Sequence, residues 1–356
     1  MQPNLVYVGT YTRSGRSEGI YVYVQDPESG ELSRLFAVPE RDPSFLAFDP
    51  RKRFLFAVSE MRAFEGEGMG EAVSFSIDQD TGNLTPLSRQ TTHGGEPCHL
   101  ATDATGRFLF VVNHEHGSVA TFPTGDDGIL APSSDLRQHE GSGPGPTQAG
   151  PHAHFVTLDP SKERILVADK GIDKVMLYRL DAARGALLPH DPPSASLHSG
   201  AAPRHIAFHP NGQYVYVNGE ADMTVTAFAF DPERGRMEEL HYLSTLPDGA
   251  NGERFSTAQI MVEPRGRFVY VSNRGHNSIA IFAIDQATGR LSAAGHQPTR
   301  GETPRNFNID PSGTFLYAAN QNSDTIVQFR IDPDTGQLAA TGNVTEVGSP
   351  VCILFG

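Results

Sequence analysis

Tryptophan is absent from this 356-residue chain, and cysteine occurs only twice, at Cys98 and Cys352. Neither a disulfide framework nor a Cys-x-x-Cys metal motif can be built from them. Basic residues are in deficit: 28 Lys and Arg stand against 42 Asp and Glu, a formal charge of −14. Binding a phosphate backbone needs a basic stripe to displace counterions, so the balance argues against nucleic acid as a partner. A small anionic ligand is not excluded, because it responds to the local field of a pocket. No apolar run approaches the roughly 18 residues needed to cross a bilayer, which argues against a membrane partner. The opening Met1-Gln-Pro-Asn-Leu5 enters a strand-like run without a charged and apolar leader, and the expectation is a soluble, cytoplasmic protein. Helical periodicity is almost nowhere to be found.

What the chain does have is many turns, with 36 Gly and 26 Pro, and a repeated phrase. A few apolar residues lead to an acidic residue or His, then Pro or once Ala, a turn, and another apolar run. The anchors are Asp49, Asp103, Asp159, His209, Glu263 and Asp310, spaced by 54, 56, 50, 54 and 47 residues. Recurrence near this period means copies of one supersecondary unit, each unable to bury its apolar faces alone. The repeat runs end to end without a break in composition, so residues 1–356 are read as one domain.

Within a unit, a β-rich run such as Arg267-Phe-Val-Tyr-Val271 follows the anchor, then a polar tip, then a run such as Ser278-Ile-Ala-Ile-Phe282. A turn of the form Asp-x-x-Thr-Gly closes that hairpin at Asp78, Asp285 and Asp332. Four strands joined by tight turns and repeated at about 50 residues predict an all-β, seven-bladed β-propeller of four-stranded antiparallel blades. The lack of Trp argues against the Trp-Asp type. The chain opens at a second strand, Leu5-Val-Tyr-Val8, and ends in a run matching only a first strand, Ser349 to Phe355. The C-terminal strand is therefore expected to complete the N-terminal blade and close the ring.

The anchors also serve as a ruler. The first strand's start and the second strand's end must share one face of the disc. Five residues before the anchors stand Ser44, Cys98, His154, Arg204, Ala258 and Arg305; eleven after them stand Glu60, His114, Lys170, Glu220, Arg274 and Gln321, with Tyr11 as counterpart. One position earlier are Asn113, Asp169, Asn273 and Asn320. A repeat should show similar residues at equivalent places. These tips diverge and are mostly polar, which predicts a binding funnel at the channel mouth. Two irregular stretches, 139–151 and 62–70, are expected to border it, the first as a lid or rim.

At these tips the chain closely resembles the lactonase family of seven-bladed propellers. The resemblance rests on Val6-Tyr-Val-Gly-Thr-Tyr-Thr12, His139-Glu-Gly-Ser-Gly-Pro144, Pro151-His-Ala-His154, Gly200-Ala-Ala-Pro-Arg204-His205, Asn218-Gly-Glu220, Val271-Ser-Asn-Arg274-Gly-His276 and Thr303-Pro-Arg305-Asn-Phe307. It implies hydrolysis of 6-phosphogluconolactone in the oxidative pentose phosphate route. It also implies an active-site set of one His, two Arg and one Glu, which falls on Pro151-His-Ala-His154, Arg204, Glu220 and Arg274. The register of Arg204 favours His154 over His152. The catalytic expectation is Glu220 or His154 as general base, with Arg204 and Arg274 divided between oxyanion stabilisation and anion binding. Substrate contacts are expected from His152, Lys170, His114, Asn113, Asn273, Arg305 and Asn320. The partner is a small anionic sugar lactone; neither metal nor cofactor is called for, and a monomer is compatible with the sequence. Other readings are muconate lactonisation, a non-catalytic scaffold, or a Ca²⁺-dependent sugar lactonase using Glu60, Asn113, Asp169 and Asn273.

Overall fold

The anchor residue makes each turn by accepting backbone hydrogen bonds. Asp310 Oδ1 receives the amides of Thr314 and Phe315 at 2.8 and 2.7 Å, and Asp159 Oδ1 those of Glu163 and Arg164, both at 3.0 Å. Glu263 does the same for Arg267 at 2.7 Å, which explains why Glu substitutes for Asp in that copy. A carboxylate gripping the start of the next strand fixes where the chain reverses.

A computed structural model describes residues 4–62, 69–250 and 255–356. Among the described residues it contains seven four-stranded antiparallel sheets and no helix. We number these sheets as blades in chain order. Blade 1 is completed by Pro350–Phe355, which pairs antiparallel with Asn4–Thr10. The ring thus closes as the terminal sequences predict, without a free innermost edge.

Both faces of each blade are buried, because each packs between two neighbours. Strand Phe108–Asn113 is buried at all six positions. Its Leu109 and Val111 pack with Phe56 and Val58 of blade 2, while Phe110 and Val112 pack with Val156 and Val167 of blade 4. Alternation along the strand divides the side chains between the two interfaces. Hence the sequence reads as continuous apolar runs.

A recurrent hydrogen bond ties several blades together. The hydroxyls of Tyr7, Tyr216, Tyr270 and Tyr317 donate to the carbonyls of Gly82, Gly289, Gly336 and Gly30, at 2.6 to 3.0 Å. Each acceptor lies in the outer hairpin of the next blade. Gly336 has φ +69°, and a Cβ there would meet the Phe268 ring at 2.5 Å, so glycine is required twice over.

Candidate active site

The innermost strands are irregular where they meet the channel mouth. In blades 3 to 7 their pairing register shifts at the tip: between Pro97 and His99, Ala153 and Phe155, Pro203 and Ile206, Thr257 and Ile260, and Pro304 and Asn306. The residues passed over include Cys98, His154, Arg204 and Arg305. A bulge re-aims the side chain it carries. Here it turns these side chains toward the channel axis.

They meet the tips of the second strands around a cavity of about 380 Å³ at one mouth of the channel. Its walls include Tyr11, Glu60, His114, His154, Lys170, Glu220, Arg274 and Arg305. Six cationic residues line it (Arg13, Arg16, Arg62, Lys170, Arg274, Arg305) against three carboxylates (Glu60, Glu96, Glu220). The local balance is therefore opposite in sign to that of the chain.

Glu220 is the hub. Its Oε1 accepts from Lys170 Nζ at 2.6 Å, and its Oε2 lies 2.8 Å from Arg204 Nε and 3.2 Å from Arg274 Nη2. The Oε2 contacts are close but off the N–H directions, so Oε2 and Arg204 Nε are buried without an aligned hydrogen-bond partner among the described residues. Burial pushes the Glu220 carboxyl upward, but Lys170, Arg274 and Arg204 together hold it well below the usual carboxylate range. Burial, and then Arg204 and Lys170, hold the His154 imidazole well below its usual value, so it is neutral; its Nδ1 has no partner among the described residues.

A second string joins the wall of blade 3. Glu96 Oε2 lies 3.1 Å from His114 Nδ1, and His114 Nε2 lies 3.5 Å from Lys170 Nζ. Lysine only donates, so His114 carries its proton on Nδ1 toward Glu96. That hydrogen bond, opposed by burial and aided by Arg62, brings Glu96 down to about 2. Across the cavity, the Tyr11 hydroxyl donates to Glu60 at 2.8 Å, and its ring sits between the guanidiniums of Arg13 and Arg305.

Six of the eleven residues expected from the sequence line this cavity: His114, His154, Lys170, Glu220, Arg274 and Arg305. Arg204 lies just beneath its floor, 2% exposed, in a small void shared with His154, Glu60 and Arg305. His152 stands behind the wall, stacked on His114 with ring centroids 4.9 Å apart. Asn113, Asn273 and Asn320 are corrections: all three are fully buried and do not reach the cavity. Their amides donate to the carbonyls of Thr92, Thr245 and Thr299 at 3.0, 2.7 and 3.2 Å, tethering the preceding loop. The tip residue beside each points the other way, as strand alternation demands.

The oxygen set weighed for Ca²⁺ is likewise dispersed, since both Asp169 oxygens are engaged by His139, His152 and Gly171. Stretch 139–151 contributes nothing to the cavity wall. It is a pinned outer rim, with Gln148 donating to Lys170 O and Asp173 Oδ1, both at 2.6 Å. In stretch 62–70, Arg62 lines the cavity, while residues 63–68 lie outside the described residues. Sequence reasoning missed Arg13, Arg16 and Glu96. Glu96 sits seven residues before its anchor, so carrying the ruler two positions further out reaches it.

A family model described as "Lactonase, 7-bladed beta-propeller" matches residues 5–355. The 6-phosphogluconolactonase of Bacillus subtilis (strain 168) is 36% identical over 302 residues, covering 85% of this chain and 83% of the relative. That of Pectobacterium carotovorum subsp. carotovorum (strain PC1) is 34% identical over 303 residues, covering 84% and 83%. Among solved structures, the periplasmic gluconolactonase of Pseudomonas aeruginosa superposes with a TM-score of 0.94 over 99% of this chain and 98% of its own, at 35% identity.

Proposed function

Because the chain belongs to the lactonase family of seven-bladed β-propellers and is a lactone hydrolase, we propose that its substrate is 6-phosphogluconolactone, opened to 6-phosphogluconate. The observation that carries the choice is charge: six cationic residues against three carboxylates at the cavity of a chain with net charge −14. A cationic concavity in an acidic protein concentrates a dianion where a neutral sugar gains nothing. Arginine suits phosphate by its forked geometry. The reading implies a cytoplasmic enzyme of the oxidative pentose phosphate route.

In this reading His154 is the general base. It is neutral, lines the cavity and has an Nδ1 without a partner among the described residues, whereas the Glu220 carboxylate is engaged by three cations. Water attacks the ester carbonyl as His154 takes its proton. The oxyanion forms against Arg274 and Lys170, which Glu220 holds in place. Collapse breaks the ring C–O bond, and the proton passes to the leaving alkoxide, which becomes the hydroxyl of the opened acid. Arg204 acts from below, as a fixed charge rather than a substrate contact. His114 and Arg305 bind the sugar and its phosphate.

A second reading, an unphosphorylated lactone, is favoured by the likeness to the protein named periplasmic gluconolactonase. The test is kcat/KM for freshly generated 6-phosphoglucono-δ-lactone and for glucono-δ-lactone, with and without EDTA. The proposal expects a strong preference for the phosphorylated ester, unaffected by EDTA and eroded by salt. Equal rates on both lactones would rule the phosphate preference out.

A further inference from the structure

Beneath the cavity the channel is filled by a layer of rings. Phe45 and His99 lie 3.9 Å apart between centroids, His99 and Phe155 4.0 Å, and Phe155 and His205 4.6 Å. One member does more than pack. Both ring nitrogens of His205 are engaged: Nδ1 lies 2.7 Å from Gln259 Oε1, and Nε2 lies 3.0 Å from Arg204 Nη1.

Only one proton arrangement satisfies this chain. A guanidinium donates and never accepts, so His205 Nε2 must be the bare nitrogen. The ring proton is then on Nδ1, and Gln259 must present its carbonyl oxygen to receive it. Arg204 Nη1 also reaches Ala258 O at 2.6 Å, which fixes that end of the guanidinium. Its Nε edge is left against Glu220 Oε2 at 2.8 Å. The middle of the string is buried, with His205 3% and Arg204 2% exposed, while Gln259 and Glu220 at its ends are partly buried. Burial, Arg204 and His99 hold the His205 imidazole well below its usual value, which keeps Nε2 free to accept.

We propose that His205, locked in its Nδ1–H tautomer by Gln259, is a positioning residue for the lactonase reaction. It sets the Arg204 guanidinium against Glu220, and Glu220 in turn holds Lys170 and Arg274 in the cavity wall. The role rests on the lactonase reading above; the proton arrangement does not.

Two substitutions separate positioning from packing. His205→Phe keeps a ring in the stack and removes the acceptor. His205→Gln removes the ring and keeps an oxygen within reach of Arg204. Displacing a charge beside the reacting groups by a fraction of an ångström is expected to lower kcat on the lactone by about 10- to 100-fold in His205→Phe, with KM near the parental value and a melting temperature lowered by the two lost hydrogen bonds. His205→Gln is expected to recover most of that loss despite a lower melting temperature. Unchanged kcat in His205→Phe, or a lower kcat in His205→Gln than in His205→Phe, would overturn the role.

The tautomer is read separately from the ring ¹⁵N shifts of His205 in the unliganded protein. The parent is expected to show Nδ1–H alone, and Gln259→Leu a mixture of tautomers. An Nε2–H signal in the parent would sink the proposal whatever the kinetics. A locked Nδ1–H in a parent that hydrolyses no lactone would instead refute the lactonase reading and leave the arrangement standing.

Discussion

Asp169 Oδ2 lies 2.6 Å from His139 Nδ1, and solvent reaches neither side chain. The other carboxylate oxygen accepts the amides of His152 and Gly171 at 2.7 and 2.9 Å. One buried carboxylate, one residue before Lys170, therefore grips both ends of stretch 139–151, holding His152 two residues from His154. Breaking such a buried, charge-assisted cluster leaves donors without an acceptor. Asp169→Asn is expected to cost about 2–4 kcal/mol in a urea melt and to lower kcat by displacing Lys170 and His154. His139→Ala should lose stability too, with a smaller effect on kcat.

Three buried imidazoles make the fold sensitive to mild acid. His99, His154 and His205 are all held well below the ordinary value of 6.5, chiefly by burial and then by Arg204. The native state leaves them unprotonated, while the unfolded chain takes up a proton at each below about 6.5. Stability is therefore fully present above that pH and falls as pH decreases. The slope approaches about 4 kcal/mol per pH unit for three such groups. Urea melts between pH 5 and 8 measure it. His99→Phe, which keeps a ring between Phe45 and Phe155, should reduce the slope by about one third.

Glu220→Gln removes the charge on which Lys170, Arg204 and Arg274 converge. Preorganised charge near a reacting carbonyl is worth about 100-fold or more in kcat, and a loss of that size is expected here. The Glu220 carboxyl is held well below 4.5, so its contribution to stability is fully present above about 4.5 and is lost progressively as pH falls from there toward its depressed value. Activity between pH 5 and 8 should accordingly show no titration from Glu220. A wild-type-like kcat in folded Glu220→Gln would remove it from the mechanism.

Ring closure should be weakened by a change far from the site. Tyr317 of blade 7 donates to Gly30 O of blade 1 at 2.6 Å and accepts from Gln25 Nε2 at 2.8 Å. Tyr317→Phe leaves the packing and removes both bonds. The expected cost is about 1–2 kcal/mol in a thermal or urea melt, with kcat and KM unchanged.

The fold was legible because its determinants are local and repeated. Asp-Pro anchors, Asp-x-x-Thr-Gly hairpins and two-sided apolar strands recur often enough to give blade number, strand order and the closure by Pro350–Phe355. The tips at Glu220, Arg274, Lys170, His114, His154 and Arg305 were legible for the same reason: the distance from an anchor along a strand is fixed by the number of residues between.

Direction was not legible in the same way. Asn113 and His114 are neighbours and both polar, yet alternation sends one into the blade and the other into the cavity. At His154 and Arg305 a bulge resets that alternation, so counting by twos from the anchor fails at the residues that matter. The repeat by itself determined which strand tips gather at the channel mouth. Only the packed ring decided which of them face the cavity, which lie beneath it, and which hold the others in place, because bulges and the opposing charges of other blades set those orientations.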